Sequence, residues 1–218
     1  MIGRVVAEAI GTALLLAVVV GSGIMGAKLA GGNDAVALLA NTIATGAGLF
    51  TLIVIFGPIS GAHFNPAVTI SAVIQRSLAV KEAAAFIVAQ FAGACAGVFA
   101  AHAMFSLPLL QTSVRARGTF GEFLGEVIAT FGLVLTIRLM AREVPAHIAA
   151  AVALWITAAY WFTSSTSFAN PAVTLARSLT DTFAGIAPNN VAAFMASQLA
   201  GMGLALVAAR WLAPRANI

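Results

Sequence analysis

Six stretches of this chain stay apolar long enough to cross a membrane. About 20 helical residues span the ~30 Å of hydrocarbon in a bilayer. Residues 4–25, 36–56, 82–105, 120–140, 147–161 with their flanks, and 191–212 meet that length. Breakers punctuate them: Gly31-Gly32-Asn33-Asp34, Ser106-Leu107-Pro108, Glu143-Val144-Pro145 and Ala187-Pro188-Asn189-Asn190. The first stretch follows Arg4 and superficially looks like a secretion signal. Glu8 inside it and the lack of a clear cleavage site predict that it is retained as a helix.

Two further segments do not fit a full span. Residues 57–77 and 162–181 each open with small polar residues, pass through Asn-Pro and then continue apolar. The apolar part is about ten residues, or about 15 Å of helix, which is half a bilayer. The pattern predicts re-entrant segments, with extended backbone leading in and then a short helix with Pro in its first turn. Irregular backbone at that depth is tolerated only where protein buries it or where it lines a water-filled cavity. The pattern therefore points to a pore.

The chain also repeats itself. Ala62-His63-Phe64-Asn65-Pro66-Ala67-Val68-Thr69-Ile70 matches Ser167-Phe168-Ala169-Asn170-Pro171-Ala172-Val173-Thr174-Leu175. Glu8 with Thr12 is mirrored by Glu126 with Thr130, and Ala89-Gln90-Phe91-Ala92-Gly93 by Ser197-Gln198-Leu199-Ala200-Gly201. The pairs recur in the same order and at similar spacing. Each half holds three spans, an odd number, so the second half is inserted upside down. An inverted repeat with broken helices places its site near the midplane, where the halves meet. The expected fold is an all-α membrane protein of six transmembrane helices plus two re-entrant half-helices. It forms a single domain over residues 1–218, with a first repeat at about 1–106 and a second at about 118–218.

Composition fixes the setting. The chain is 61% hydrophobic and 8% charged, against about 25% charged residues in a soluble domain. Most of its surface must therefore face lipid. The net charge of +4 comes from basic residues scattered singly, which gives no reason to expect nucleic acid as a partner. If the termini share one side, Arg4, Arg76, Lys81, Arg138, Arg142, Arg210 and Arg215 fall on it, and Lys28, Arg115, Arg117 and Arg177 fall opposite. That excess predicts cytoplasmic termini in the cell (inner) membrane. Cys95 has no cysteine to pair with and reads as a small buried apolar residue. His63, His102 and His147 lie far apart in the sequence, so no metal site is expected. No nucleophile–base set or phosphate loop is apparent, so no catalytic residue, cofactor or enzymatic activity is expected.

Two Asn-Pro-Ala boxes on re-entrant half-helices, in register with paired Glu and Gln landmarks, resemble the aquaporin family. The resemblance covers essentially the whole chain. Asn65 and Asn170 are the central pair. Each can cap its half-helix through its side-chain oxygen and point its NH₂ into the channel as a donor. The half-helix N-termini carry unpaired N–H groups and the positive dipole end. The resulting barrier to cations is a known property of aquaporin-type pores and comes with the resemblance. Pro66 and Pro171 start the half-helices, and Ala67 and Ala172 let them touch.

Carboxylates within spans are expensive and usually functional. The resemblance implies that Glu8 and Glu126 accept hydrogen bonds from the re-entrant loops as scaffolding, the other reading being a proton relay. Gln90 and Gln198 read as interhelix hydrogen-bonders. Gly11, Gly93, Gly97, Gly125, Gly201 and Gly203 suit close helix packing, and Trp155, Trp161 and Trp211 suit interfacial anchoring.

The resemblance also implies a second constriction at Thr45, Ala158, Ser167 and Val173. Most family members place Arg at the last of these, with aromatic or His residues nearby. Here none of the four is charged or aromatic. Thr174 stands where glycerol facilitators usually carry Asp. The implied function is a passive channel with a wide filter for small uncharged solutes: glycerol-like polyols, neutral metalloid hydroxides such as arsenite, and water. Similar Arg-less bacterial aquaglyceroporins include arsenite channels. A strict water channel and a proton-coupled secondary transporter are the alternatives. Arg177 is expected at the membrane surface or on a lipid phosphate. Family members assemble as tetramers with one pore per subunit, which implies a homotetramer in lipid.

Overall fold

The computed structural model describes residues 1–212, except for the side chains of residues 142 and 143. Arg215 and the side chain of Arg142, both counted in the charge balance above, fall outside the described residues. The apolar stretches become α1 (Ile2–Leu29), α2 (Asp34–Ser60), α4 (Val80–Met104), α5 (Phe120–Glu143), α6 (Ile148–Phe162) and α8 (Pro188–Leu212). The two Asn-Pro segments become the short helices α3 (Pro66–Ile74) and α7 (Pro171–Arg177). A 3₁₀ turn, Pro145–His147, leads into α6. The six long helices all have the length and apolarity of membrane spans.

Local chemistry sets the helix ends. The Asn33 side chain accepts from the Ala35 and Val36 amides at the start of α2. Thr119 and Glu122 form a reciprocal capping box at the start of α5. α2 ends at Gly61, whose φ of 94° is readily adopted only by glycine.

Helix α1 packs against α2 and α4, and α5 packs against α6 and α8, so each repeat makes its own three-helix layer. Contact of α2 with α6 joins the layers. The half-helices stitch them further: α3 touches α4 and α8, and α7 touches α4 and α8 as well. Small residues bring the backbones together. A Cβ on Gly93 would stand 2.2 Å from the Ala9 carbonyl oxygen, one on Gly97 2.1 Å from that of Ala13, and one on Gly201 2.3 Å from that of Val127. Gly11 and Gly125 are notches for Phe64 and for Thr163 and Ser165. Gly203 differs from the expectation: nothing lies within 4 Å of its Cβ position, so it serves no close approach.

Trp155 also differs. It sits in the middle of α6, donates its indole N–H to the Ala129 carbonyl at 2.9 Å, and fills the space left by Gly132 on α5. A half-buried indole still favours a hydrogen-bond partner, and the α5 backbone supplies one away from the interface. Trp161 and Trp211 are exposed near helix ends. Cys95 is half-buried rather than buried.

Overpacking a helix contact costs about 1–3 kcal/mol, and more where backbone cannot yield. Gly97→Val and Gly201→Val are therefore expected to lower the detergent melting temperature sharply or to abolish folding, while Gly203→Val leaves it within a degree or so. Tryptophan-fluorescence melting of the three variants checks this.

Candidate functional site

The site begins with strained backbone. Ala62 and Phe64 before the first box, and Ser167 and Ala169 before the second, all have φ between 48° and 50°. Left-handed conformations cost a non-glycine residue about 1–3 kcal/mol and persist only where the surroundings impose them. Two buried carboxylates do so here. Glu8 accepts from the His63 amide at 3.0 Å and the Phe64 amide at 2.7 Å. It also accepts from the Ser60 hydroxyl at 2.6 Å and from Gln90 Nε2 at 2.8 Å. Glu126 accepts from the Phe168 and Ala169 amides, each at 2.8 Å, and from Gln198 Nε2 at 2.6 Å. The same glutamine nitrogens donate to Thr69 and Thr174 inside the half-helices. Each long helix thus grips the loop and the half-helix of its own repeat.

The asparagines then join the repeats. Asn65 accepts from the Ala67 amide through its side-chain oxygen, and Asn170 accepts from those of Ala172 and Val173. Asn65 Nδ2 donates to the Ala169 carbonyl at 2.8 Å, and Asn170 Nδ2 to the Phe64 carbonyl at 2.7 Å. One N–H of each amide is therefore spent on the opposite loop, where the expectation had the NH₂ pointing into the channel. The N-termini of α3 and α7 meet here, while their C-terminal ends run to opposite faces. Leu78, just past α3, lines a cavity with Arg4 near the termini, and Arg177 at the end of α7 lines one with Arg117. Pro66 and Pro171 occupy the first helical turns, and Ala67 and Ala172 are fully buried.

Two cavities flank this junction. One of about 250 Å³ reaches both asparagines and is walled by Leu15, Leu49, Val68, Leu133 and Val152. The other, about 280 Å³, is lined by Asn41, Thr166 and Arg177 among others. They share no lining residue. On α2, Asn41 faces the second cavity and Leu49 the first, leaving Thr45 one turn from each. On α7, Asn170 faces the first and Arg177 the second, with Val173 between. Thr45, Ser167 and Val173 are all buried.

Ala158 does not join them. It is exposed on the face of α6 that carries Leu154 and Trp161. The buried face is Val152, Ala153, Ile156, Ala159 and Tyr160. The α6 residue beside Thr45 is Tyr160 instead, whose hydroxyl donates to Thr45 Oγ1 at 3.3 Å. Counting back from the second box misplaced the position because α6 ends at Phe162 and a turn intervenes. The helical period of α6 was the available signal, together with the chain's only tyrosine inside a span.

Arg177 is also corrected. It is 2% exposed, not at the membrane surface. Its Nε donates to the Ala184 carbonyl, and its guanidinium carbon lies 3.4 Å from the centre of the Phe168 ring. Arg117 approaches the same ring at 5.0 Å and donates to the carbonyls of Gly185 and Ser165, each at 3.0 Å. Burial, with Arg115 nearby, pushes the Arg117 guanidinium down to about 10, so it stays charged at neutral pH.

The model of the major intrinsic protein family matches residues 1–145. Aquaglyceroporin AqpS of Rhizobium meliloti (strain 1021) is 53% identical over 96% of this chain and 89% of its own length. The chain belongs to the major intrinsic protein family. Aquaporin NIP2-1 of Zea mays is 28% identical over 82% of this chain and 62% of its own. The X-ray structure of the aquaglyceroporin from Plasmodium falciparum shares the fold, with a TM-score of 0.75 over 96% of this chain and 94% of that one, at 19% identity. As a major intrinsic protein the chain is a multi-pass membrane channel for small neutral solutes, and not an enzyme.

Within this family member the two carboxylates make a direct test of the scaffold. Glu126→Ala strands the Phe168 and Ala169 amides, at about 1–3 kcal/mol per buried group left unpaired. A fall in detergent melting temperature together with reduced solute flux is the expected outcome. Unchanged stability with loss of proton-coupled transport would point to a relay instead.

Proposed function

We propose that this channel passes glycerol-like polyols, neutral metalloid hydroxides such as arsenite, and water through a filter that lacks Arg. The observation that carries this reading is the position of Val173, buried between the two cavities one turn from Asn170 and one turn from Arg177. With Thr45 and Ser167 it puts small uncharged side chains where a long cation would fill the passage. Tyr160 narrows that passage more than an alanine would, and its bond to Thr45 holds the ring against the wall.

The chemistry of the zone suits a polyol. Hydroxyls of Thr45, Tyr160 and Ser167 offer polar contacts, while Val173 offers methyls to a carbon skeleton. Ser167 Oγ is buried with no protein partner, so a solute hydroxyl there would satisfy it. AqpS is described as an aquaglyceroporin, in keeping with this class of solute. Glu8 and Glu126 make all their contacts to donors as acceptors, which favours a scaffold over a coupling site for protons.

The same reading places both termini in the cytoplasm, on the positive-inside bias, and the protein in the cell (inner) membrane. It also includes a homotetramer, since the apolar groove between α2 and α6 along Ile43, Phe50, Ala150 and Leu154 offers a face for a second copy.

Stopped-flow light scattering of proteoliposomes with water, glycerol and arsenite tests the reading. Glycerol and arsenite should enter faster than into protein-free vesicles. Val173→Arg adds a fixed charge and a fork of donors to the narrow zone. Glycerol and arsenite flux should then fall by about tenfold or more, the effect of some 1.4 kcal/mol of added barrier, with water flux falling much less. An unaltered solute profile in a well-folded Val173→Arg protein would remove Val173 from the filter.

A further inference from the structure

The vestibule beyond the narrow zone holds more positive charge than its walls neutralise. Arg117 and Arg177 are 6% and 2% exposed, and both line the 280 Å³ cavity. Among the described residues the ion pair found is Arg4 with Glu82, far from here, so neither buried guanidinium has a carboxylate within 4 Å. Their donors go to carbonyls of the loops around Gly185 and Ser165 instead. Arg177 Nη1 is buried with no hydrogen-bond partner, its guanidinium stacked on Phe168. The acids on the cavity wall offset this only in part, and Glu126, which also acts on both guanidinia, lies outside the lining and is held by two loop amides and Gln198. Glu122 is held in its capping box by Thr119, and Asp34 sits exposed at the start of α2. Arg115, Arg117 and Arg177 against Asp34 and Glu122 leave the lining with one net positive charge.

Buried charge without a partner is costly, and a guanidinium fork is best satisfied by two oxygens of one oxyanion. We propose that this vestibule binds a small monovalent oxyanion of the carboxylate or sulfonate class. The anion takes the open N–H groups of Arg177 and Arg117, with the Thr166 hydroxyl beside them. One negative charge matches the excess on the walls. The cavity is several times the volume of a water molecule, about 30 Å³, so such an anion fits with part of its hydration. It sits over the Thr45–Val173 zone and obstructs neutral solutes arriving from that side. The binding claim stands without the proposed function, and only its effect on flux rests on the channel reading.

Isothermal titration calorimetry of the full chain, in phospholipid-free detergent and low-salt Tris buffer, tests the proposal. Methanesulfonate is the probe because it is charged at every pH, and dimethyl sulfone is its neutral isostere. Methanesulfonate should bind saturably and dimethyl sulfone should not. Arg177→Gln and Arg117→Gln should each weaken binding at least about tenfold, the loss expected for one charge-assisted hydrogen bond. Arg210→Gln, at an exposed site on α8, should leave it intact. Size exclusion establishes that each variant is folded, and the comparison of the two probes on the unaltered protein needs no variant. Absence of methanesulfonate binding, equal binding of the sulfone, or unchanged affinity in both glutamine variants overturns the proposal. In vesicles, saturating methanesulfonate on the Arg177 side should slow glycerol flux, and undiminished flux overturns the obstruction. A protein with no glycerol flux even without the anion would instead refute the channel reading and leave the calorimetry standing.

Discussion

A backbone that stops halfway across a membrane has no water to receive its N–H groups, and the two carboxylates of α1 and α5 meet that constraint. Glu8 and Glu126 accept two consecutive amides each from the loops that precede the Asn-Pro-Ala boxes. Those amides belong to loops bent into left-handed conformations, which a chain of ordinary residues does not hold unaided. Once the loops are fixed, Asn65 and Asn170 are fixed. Each caps its own half-helix and donates to the other loop, so the repeats lock where the half-helix N-termini meet. The close α1–α4 and α5–α8 contacts at Gly93, Gly97 and Gly201 serve the same end. They carry Gln90 and Gln198 to the carboxylates and so complete each acceptor site.

Along the path from face to face the electrostatics alternate. The half-helix N-termini give the midplane a positive potential. The narrow zone at Thr45, Tyr160, Ser167 and Val173 carries no formal charge. The vestibule beyond it is positive again through Arg117 and Arg177. On the proposed reading a cation would meet two repulsive regions, whereas a neutral solute would exchange hydration water for hydroxyls and methyls. That reading leaves the exclusion of charge to groups on either side of the zone, and selection by size and hydrogen bonding to the zone itself.

How much of this was legible in the sequence follows from the physics of each feature. The spans and half-helices were plain, because hydrocarbon thickness imposes a length and Pro66 and Pro171 mark first turns. Duplication paired Glu8 with Glu126, while their loop partners came with the resemblance to the aquaporin family, since a carboxylate in a span also suits a proton relay. Ala158 failed because its placement depended on loop length, and the helical period of α6 turns that residue to the exposed face while turning Tyr160 inward. Arg177 failed for a different reason. One residue at the end of a seven-residue helix carries no periodicity, and its burial is decided by a loop that folds over it from Thr182 to Ala187. Trp155 shows the same limit, because only the packing of α5 reveals Gly132 as its notch.

The repeat is obeyed by the scaffold and broken by the vestibules. Glu8 pairs with Glu126, Gln90 with Gln198 and Asn65 with Asn170, each making matching contacts. The position that matches Arg177 in the first repeat is Ala72, so the vestibule near the termini receives no charge from its half-helix. The cavity that reaches the asparagines from that side has no Arg, Lys, Asp or Glu in its lining. One mouth is thus electrically balanced and the other is positive. Such an asymmetry cannot bias the net direction of an uncharged solute, which follows its gradient through any passive pore. It acts on charged molecules that do not cross, setting which of them gather at each mouth and how often the path is free.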